Sequence, residues 1–181
     1  MTRVVVLDTE LTGLELDDGD RVISVGLVEV FNGVVSGVEK EWEFDPEGRK
    51  SHPDAALIHG LSDDYLKDKP LFKDVAQEIL DFIDGDEIVH HCWYDKVSDH
   101  STDEDFMNME FQKAGFGEVG HGQWLNIKKW AQQIDPQHNS LDSMLDRYNI
   151  DRTSRAQFHG ALVDARLTAE YYLKVAPQFK P

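Results

Sequence analysis

The apolar run Val4-Val5-Val6-Leu7 passes without a break into Asp8-Thr9-Glu10, and this junction constrains the fold more than any other stretch of the 181-residue chain. Residues 3–7 are short, apolar and β-branched, so they read as a buried strand. On a strand, residues two apart share a face and lie about 6.5–7 Å apart along the chain. Two carboxylates held that way at a strand end repel one another unless a cation sits between them. Hard oxygen ligands of this kind select Mg²⁺ or Mn²⁺ over zinc. Taken alone, an Asp-x-Glu is more often structural. The following Thr12-Gly13 favours the metal reading, because a turn with glycine lets a ligand approach the backbone.

The rest of the first half reads as an antiparallel meander around that strand. Residues 22–30 and 34–44 form two further strands joined by Phe31-Asn32-Gly33. Alternation over residues 38–44 predicts one wet face and a place near the sheet edge. Helical spacing then takes over. Leu71, Phe72, Val75, Ile79, Leu80 and Ile83 predict an amphipathic helix that stops near Gly85. A short strand follows over residues 87–90. Phe106, Met107, Glu110 and Phe111 share a helical stripe behind the capping run Ser101-Thr102-Asp103-Glu104. Residues 125–134, 140–148 and 160–175 predict more helix, giving an α/β sandwich with a mixed sheet.

Charge and composition narrow the classes. A formal charge of −17 repels a phosphate backbone, which disfavours a protein that coats long duplex DNA. Most of these acids belong to a solvated face. The apolar runs are too short to cross a bilayer, and no leader opens the chain, so the expected location is cytoplasmic. One cysteine, Cys92, excludes a disulfide framework and a cysteine-cluster zinc site. Asp17-Asp18-Gly19-Asp20 lacks calcium-loop spacing and reads as a turn. His52, His100, His121 and His138 read as surface residues, and Trp124, Trp130 and Phe111 as core. Near the other end, Phe158-His159-Gly160-Ala161-Leu162-Val163-Asp164 places an aspartate on the first turns of the last helix, toward the histidine's loop.

Four segments, taken in order, resemble the DEDDh family of 3′→5′ exonucleases, most closely the epsilon proofreading group of bacterial DNA polymerase III. They are Leu7-Asp8-Thr9-Glu10-Leu11-Thr12-Gly13, then Ile58-His59-Gly60-Leu61, then Val89-His90-His91-Cys92-Trp93-Tyr94-Asp95, and finally Asn139-Ser140-Leu141-Asp142 with His159 and Asp164. The resemblance spans essentially the whole chain and implies one exonuclease domain over residues 1–181. The implied fold is ribonuclease-H-like, with a central mixed five-stranded sheet flanked by helices. It implies two Mg²⁺ or Mn²⁺ ions held by Asp8, Glu10, Asp95 and Asp164, with Asp8 bridging and His159 as general base. Leu11, Thr12, Gly13, His59 and His91 fall where the family meets the terminal nucleotide.

The chain departs from the family pattern at His91, where an asparagine is usual, at Leu11 for threonine and at Asn126 for aspartate. Residues 96–103 look inserted, which leaves two candidates for the third carboxylate. Asp95 keeps the spacing from the strand and Asp103 keeps the helical register; strand-end placement favours Asp95. Arg147, Arg152 and Arg155 form the main basic cluster, either gripping a substrate backbone or lying on the surface. The expected activity is release of nucleoside 5′-monophosphates from single-stranded or frayed DNA 3′ ends, plausibly in proofreading with a polymerase subunit. The alternatives are an exoribonuclease that trims RNA and a catalytically idle polymerase-binding module. No clear clamp-binding motif and no membrane partner are expected.

Overall fold

The computed structural model describes residues 2–94, 101–119, 123–155 and 159–179. Asp95, most of the inserted stretch, His100 and His121 lie outside the described residues.

Five strands form one sheet in the order β3-β2-β1-β4-β5. These are β1 (Arg3–Leu11), β2 (Val22–Phe31), β3 (Val34–Glu43), β4 (Glu87–His90) and β5 (Trp124–Asn126). The β1–β2 and β2–β3 pairs are antiparallel, whereas β1–β4 and β4–β5 are parallel. Asn32 and Gly33, both at positive φ, make the two-residue hairpin turn between β2 and β3. As expected, β3 is the edge strand, and it is mostly exposed apart from Trp42. The helices are α1 (Pro53–His59), α2 (Asp63–Leu66), α3 (Phe72–Ile83), α4 (Thr102–Lys113), α5 (Lys128–Ile134), α6 (Leu141–Arg147) and α7 (Ala161–Phe179).

Alternation along the interior strands separates two cores. Val4, Val6, Val28 and Val89 pack toward α5, α6 and α7. Val5, Leu7, Val25, Leu27 and Ile88 pack toward α3 and α4. The start of β1 is pinned by Arg3, which pairs with Glu29 at 2.5 Å and with Asp86. The same guanidinium donates to the carbonyls of Phe82 (2.7 Å) and Ile83 (3.1 Å), capping the end of α3.

Three boundaries differ from the sequence reading. β1 continues to Leu11 because Asp8, Thr9 and Glu10 keep partners on β2, namely Gly26, Val25 and Ser24. The expected helix over 125–134 begins instead at Lys128. Leu125 pairs with Val89 at the parallel edge, so the sheet takes residues whose apolar spacing suits a helix. The last helix runs from Ala161 to Phe179, past the expected end at 175. The Asp17–Asp20 stretch is a turn, as expected, and it ties inward: Asp20 accepts from Thr12 Oγ1 at 2.9 Å and from Arg49 Nε at 2.8 Å.

Candidate active site

The parity that buries Val4 and Val6 against α7 carries on to Asp8 and Glu10, so both carboxylates leave β1 on the face that α7 covers. α7 approaches because β2 has Gly26 opposite Asp8. A side chain there would overlap the Ala161 carbonyl carbon and the Leu162 amide. The first turn of α7 therefore rests on bare backbone and delivers Asp164, which is 3% exposed, to the pair. Ligand oxygens of Asp8, Glu10 and Asp164 lie within 4.8 Å of one another.

A fourth carboxylate arrives from the opposite face. Tyr94 and Ser101 form an antiparallel bridge, and the Thr102 amide donates to the Trp93 carbonyl at 3.1 Å. The chain therefore returns to the end of β4 immediately before α4 begins. This return brings Asp103, 4% exposed, beside β1, where its Oδ1 accepts from Thr9 Oγ1 at 2.7 Å. Asp8, Glu10, Asp103 and Asp164 line one pocket of about 220 Å³, together with His159 and Arg155.

The electrostatics follow from this crowding. Burial, then the charges of Asp103, Asp164 and Glu10, push the Asp8 carboxyl well above the usual range. Burial and Asp164 raise Glu10 to about 8. Arg155 is the counter-charge present. Its Nε donates to Asp164 Oδ1 at 2.6 Å, it pairs with Asp142, and its Nη2 lies 3.1 Å from His159 Nδ1. A guanidinium only donates, so Nδ1 is the acceptor in that contact. Burial, and next Arg155, lower the His159 pKa. The basic cluster thus divides: Arg155 belongs to the pocket, while Arg147 pairs with Asp135 and Arg152 with Asp146 at the surface.

A larger cavity of about 650 Å³ adjoins the pocket and shares Thr9, Glu10, Leu11 and Leu14 with it. Gly13 and His59 also line it, and exposed Leu14 and Ile58 supply apolar surface. His59 accepts the Leu61 amide at Nδ1 (3.0 Å), while its buried Nε2 has no hydrogen-bond partner. The His159 amide donates to the Ile58 carbonyl at 3.0 Å, which joins the two sides. Thr12 is buried and serves the turn through Asp20. Glycine at position 13 is required by the Asp20 carboxylate, which a Cβ would strike.

His91 lines neither cavity. It is buried with its ring edge on Tyr171, centroids 6.0 Å apart, and burial pushes its pKa down to about 3. Asn126 helps hold the end of β4, donating to the Cys92 carbonyl at 3.1 Å. Sequence reasoning missed Gly26, for which one sequence offers no signal; of the three arginines it weighed near the site, Arg155 is the one that reaches the pocket, where it contacts Asp164 and His159.

The family model for RNase_T, described as "Exonuclease", matches residues 5–172. The chain is 36% identical over 187 residues to DNA polymerase III subunit epsilon of Haemophilus influenzae, covering 94% of this chain and 66% of the relative. It is 37% identical to that subunit from Salmonella typhimurium, covering 96% and 71%. The chain thus spans about two thirds of the length of the curated relatives it matches. Among solved structures, E. coli Exonuclease I in complex with a dT13 oligonucleotide superposes with a TM-score of 0.79 at 14% identity, covering 99% of this chain and 42% of that one. Exonuclease X in complex with 5′ overhanging duplex DNA gives 0.72 at 20% identity, covering 97% and 92%. No described helix is long and apolar enough to cross a membrane. With a family match over nearly its whole length and epsilon relatives above one-third identity, the chain belongs to the RNase_T exonuclease family and is epsilon-like.

Proposed function

We propose that the chain is a divalent-metal-dependent 3′→5′ exonuclease that removes nucleoside 5′-monophosphates from single-stranded or frayed DNA 3′ ends, in proofreading beside a polymerase. The observation that carries this reading is the convergence of Asp8, Glu10, Asp103 and Asp164 with His159 on one small pocket.

The donor set fits hard divalent ions. It is all carboxylate and crowded, and burial favours the protonated forms of Asp8 and Glu10 unless a cation is supplied. Asp8, Glu10 and Asp164 would hold one shared centre, and Asp103 would complete it from the α4 side. Asp103 is proposed in place of Asp95 because its carboxylate lines the pocket, so helical register outweighs spacing from the strand. Ions held there would lower the pKa of a water and offset charge on the departing oxygen.

His159 takes the proton of the attacking water, and burial and Arg155 favour the neutral imidazole that this needs. Leu11, Leu14 and Ile58 pack against the terminal nucleoside in the larger cavity, whose wall Gly13 completes. The unpartnered Nε2 of His59 supplies a polar contact there. The acidic surface keeps the engaged stretch of nucleic acid short.

The test uses DNA and RNA oligonucleotides labelled at the 3′ terminal nucleotide. Prompt release of labelled mononucleotide from DNA in Mg²⁺ or Mn²⁺, abolished by chelator, is the expected result. Release from RNA alone would replace the DNA assignment, and no release from either would sink the reading.

A further inference from the structure

Around Asp103 stands a second group of ligand atoms, with chemistry different from that of the carboxylate cluster. His90 Nδ1 lies 3.1 Å from Asp103 Oδ2 and 3.4 Å from Cys92 Sγ. The ligand atoms of all three residues fall within 4.8 Å of one another. Around a tetrahedral ion with bonds of about 2.0–2.3 Å, neighbouring ligands sit about 3.3–3.7 Å apart. The nitrogen–oxygen and nitrogen–sulphur separations are therefore close to those of an assembled site.

From this arrangement we infer that His90, Cys92 and Asp103 form a binding site for a borderline-soft divalent ion of the Zn²⁺ type, distinct in donor chemistry from the carboxylate site. One imidazole, one sulphur and one carboxylate make a mixed set that suits zinc, whereas an all-oxygen set suits Mg²⁺. Two N–H groups point at the sulphur, the Asp103 amide at 3.5 Å and Asn126 Nδ2 at 3.7 Å, while the thiol itself donates to the Trp93 carbonyl at 3.3 Å. Such N–H contacts orient and stabilise a metal-bound thiolate. Cys92 and Asp103 also line the small pocket, from which an ion can reach them. Binding forms a metal–sulphur bond and releases the thiol proton to solvent.

Sharing gives the site a consequence. Asp103 presents Oδ1 to Thr9 and Oδ2 to His90, so an ion on the histidine side competes for a carboxylate needed on the other. A soft ion thereby inhibits turnover. This effect rests on the nuclease reading, but the binding itself does not.

The probe is Cd²⁺ added to the intact chain, read by the ultraviolet thiolate-to-cadmium charge-transfer band. With one cysteine in the chain, any such band belongs to Cys92. The expected result is a band that corresponds to one thiolate-bound Cd²⁺ per chain, its loss in Cys92→Ala, and at least tenfold weaker band formation in Asp103→Asn. No band in the parent protein, or equal binding by Asp103→Asn, overturns the site. In a Mg²⁺ assay, low Zn²⁺ should inhibit the parent at least tenfold more strongly than Cys92→Ala, each measured as a fraction of its own zinc-free rate. Equal inhibition of both proteins overturns the inhibitory role. If no nucleic acid is cleaved at all, the nuclease reading fails while the Cd²⁺ titration still decides the site.

Discussion

Gly26 stands opposite Asp8 in the β1–β2 ladder, and the backbone of Ala161 and Leu162 occupies the space where its side chain would be. The distance between the carboxylates of β1 and that of α7 is therefore set by a residue with no chemistry of its own. Gly26→Ala should push the first turn of α7 outward. The expected loss is about 1–3 kcal/mol of stability from overpacking, with a fall in kcat of about 100-fold from misplaced Asp164. Chemical denaturation and single-turnover cleavage check the two effects, and wild-type kcat in Gly26→Ala would refute the account.

Asp103 and Asp95 make separable predictions. Asp103→Asn should lower Mn²⁺-dependent turnover by at least about 100-fold, while Asp95→Asn stays within about fivefold of the parent. Isothermal titration of Mn²⁺ should show weaker binding only in the first variant. The opposite ranking would restore Asp95 as the fourth ligand.

Stability without divalent ions should depend on pH in a particular direction. Glu10 titrates at about 8 in the fold against an ordinary 4.5, chiefly through burial and then Asp164, and Asp8 shifts the same way. The folded state thus holds these protons more tightly than the unfolded state. Their stabilising contribution is full below about 4.5 and is lost as pH rises through about 8. Melting temperature in chelator should fall across that window, and Mn²⁺ should flatten the slope. An unchanged slope on adding Mn²⁺ would mean that the carboxylates are not what the ion binds.

Arg155 should matter most when no metal is present. Its guanidinium and the Asp164 carboxylate are both largely buried, so Arg155→Gln leaves an uncompensated charge and should cost about 3–5 kcal/mol in chelator. Saturating Mn²⁺ should shrink that penalty, because Asp164 regains a cation. Calorimetry in both conditions decides the matter: an equal loss with and without Mn²⁺ would make Arg155 a purely structural anchor.

Much of the site was legible because local spacing carries it. Asp8 and Glu10 share a face by strand parity, while His159 and Asp164 were singled out by their spacing in the family resemblance. What could not be read depends on partners distant in sequence. The three residues of β5 have no periodicity of their own and become a strand only beside Val89. The choice between Asp103 and Asp95 turns on the Tyr94–Ser101 bridge, which no local pattern announces. His91 shares a motif position with substrate contacts of the family, yet Tyr171 on α7 holds it in the core.

The tie at Arg3 also bears on how the acidic end of β1 is tolerated. A strand with mutually repelling carboxylates at one end and a four-point polar anchorage at the other would break differently from its two ends. Arg3 links β1, β2 and the end of α3, so strain from Asp8 and Glu10 has no easy route along the strand. Partial opening of the metal-free protein should begin at α7 and the pocket, with the sheet still paired around Arg3. In amide exchange this would appear as a gradient of protection along one strand, steepest where the chemistry is.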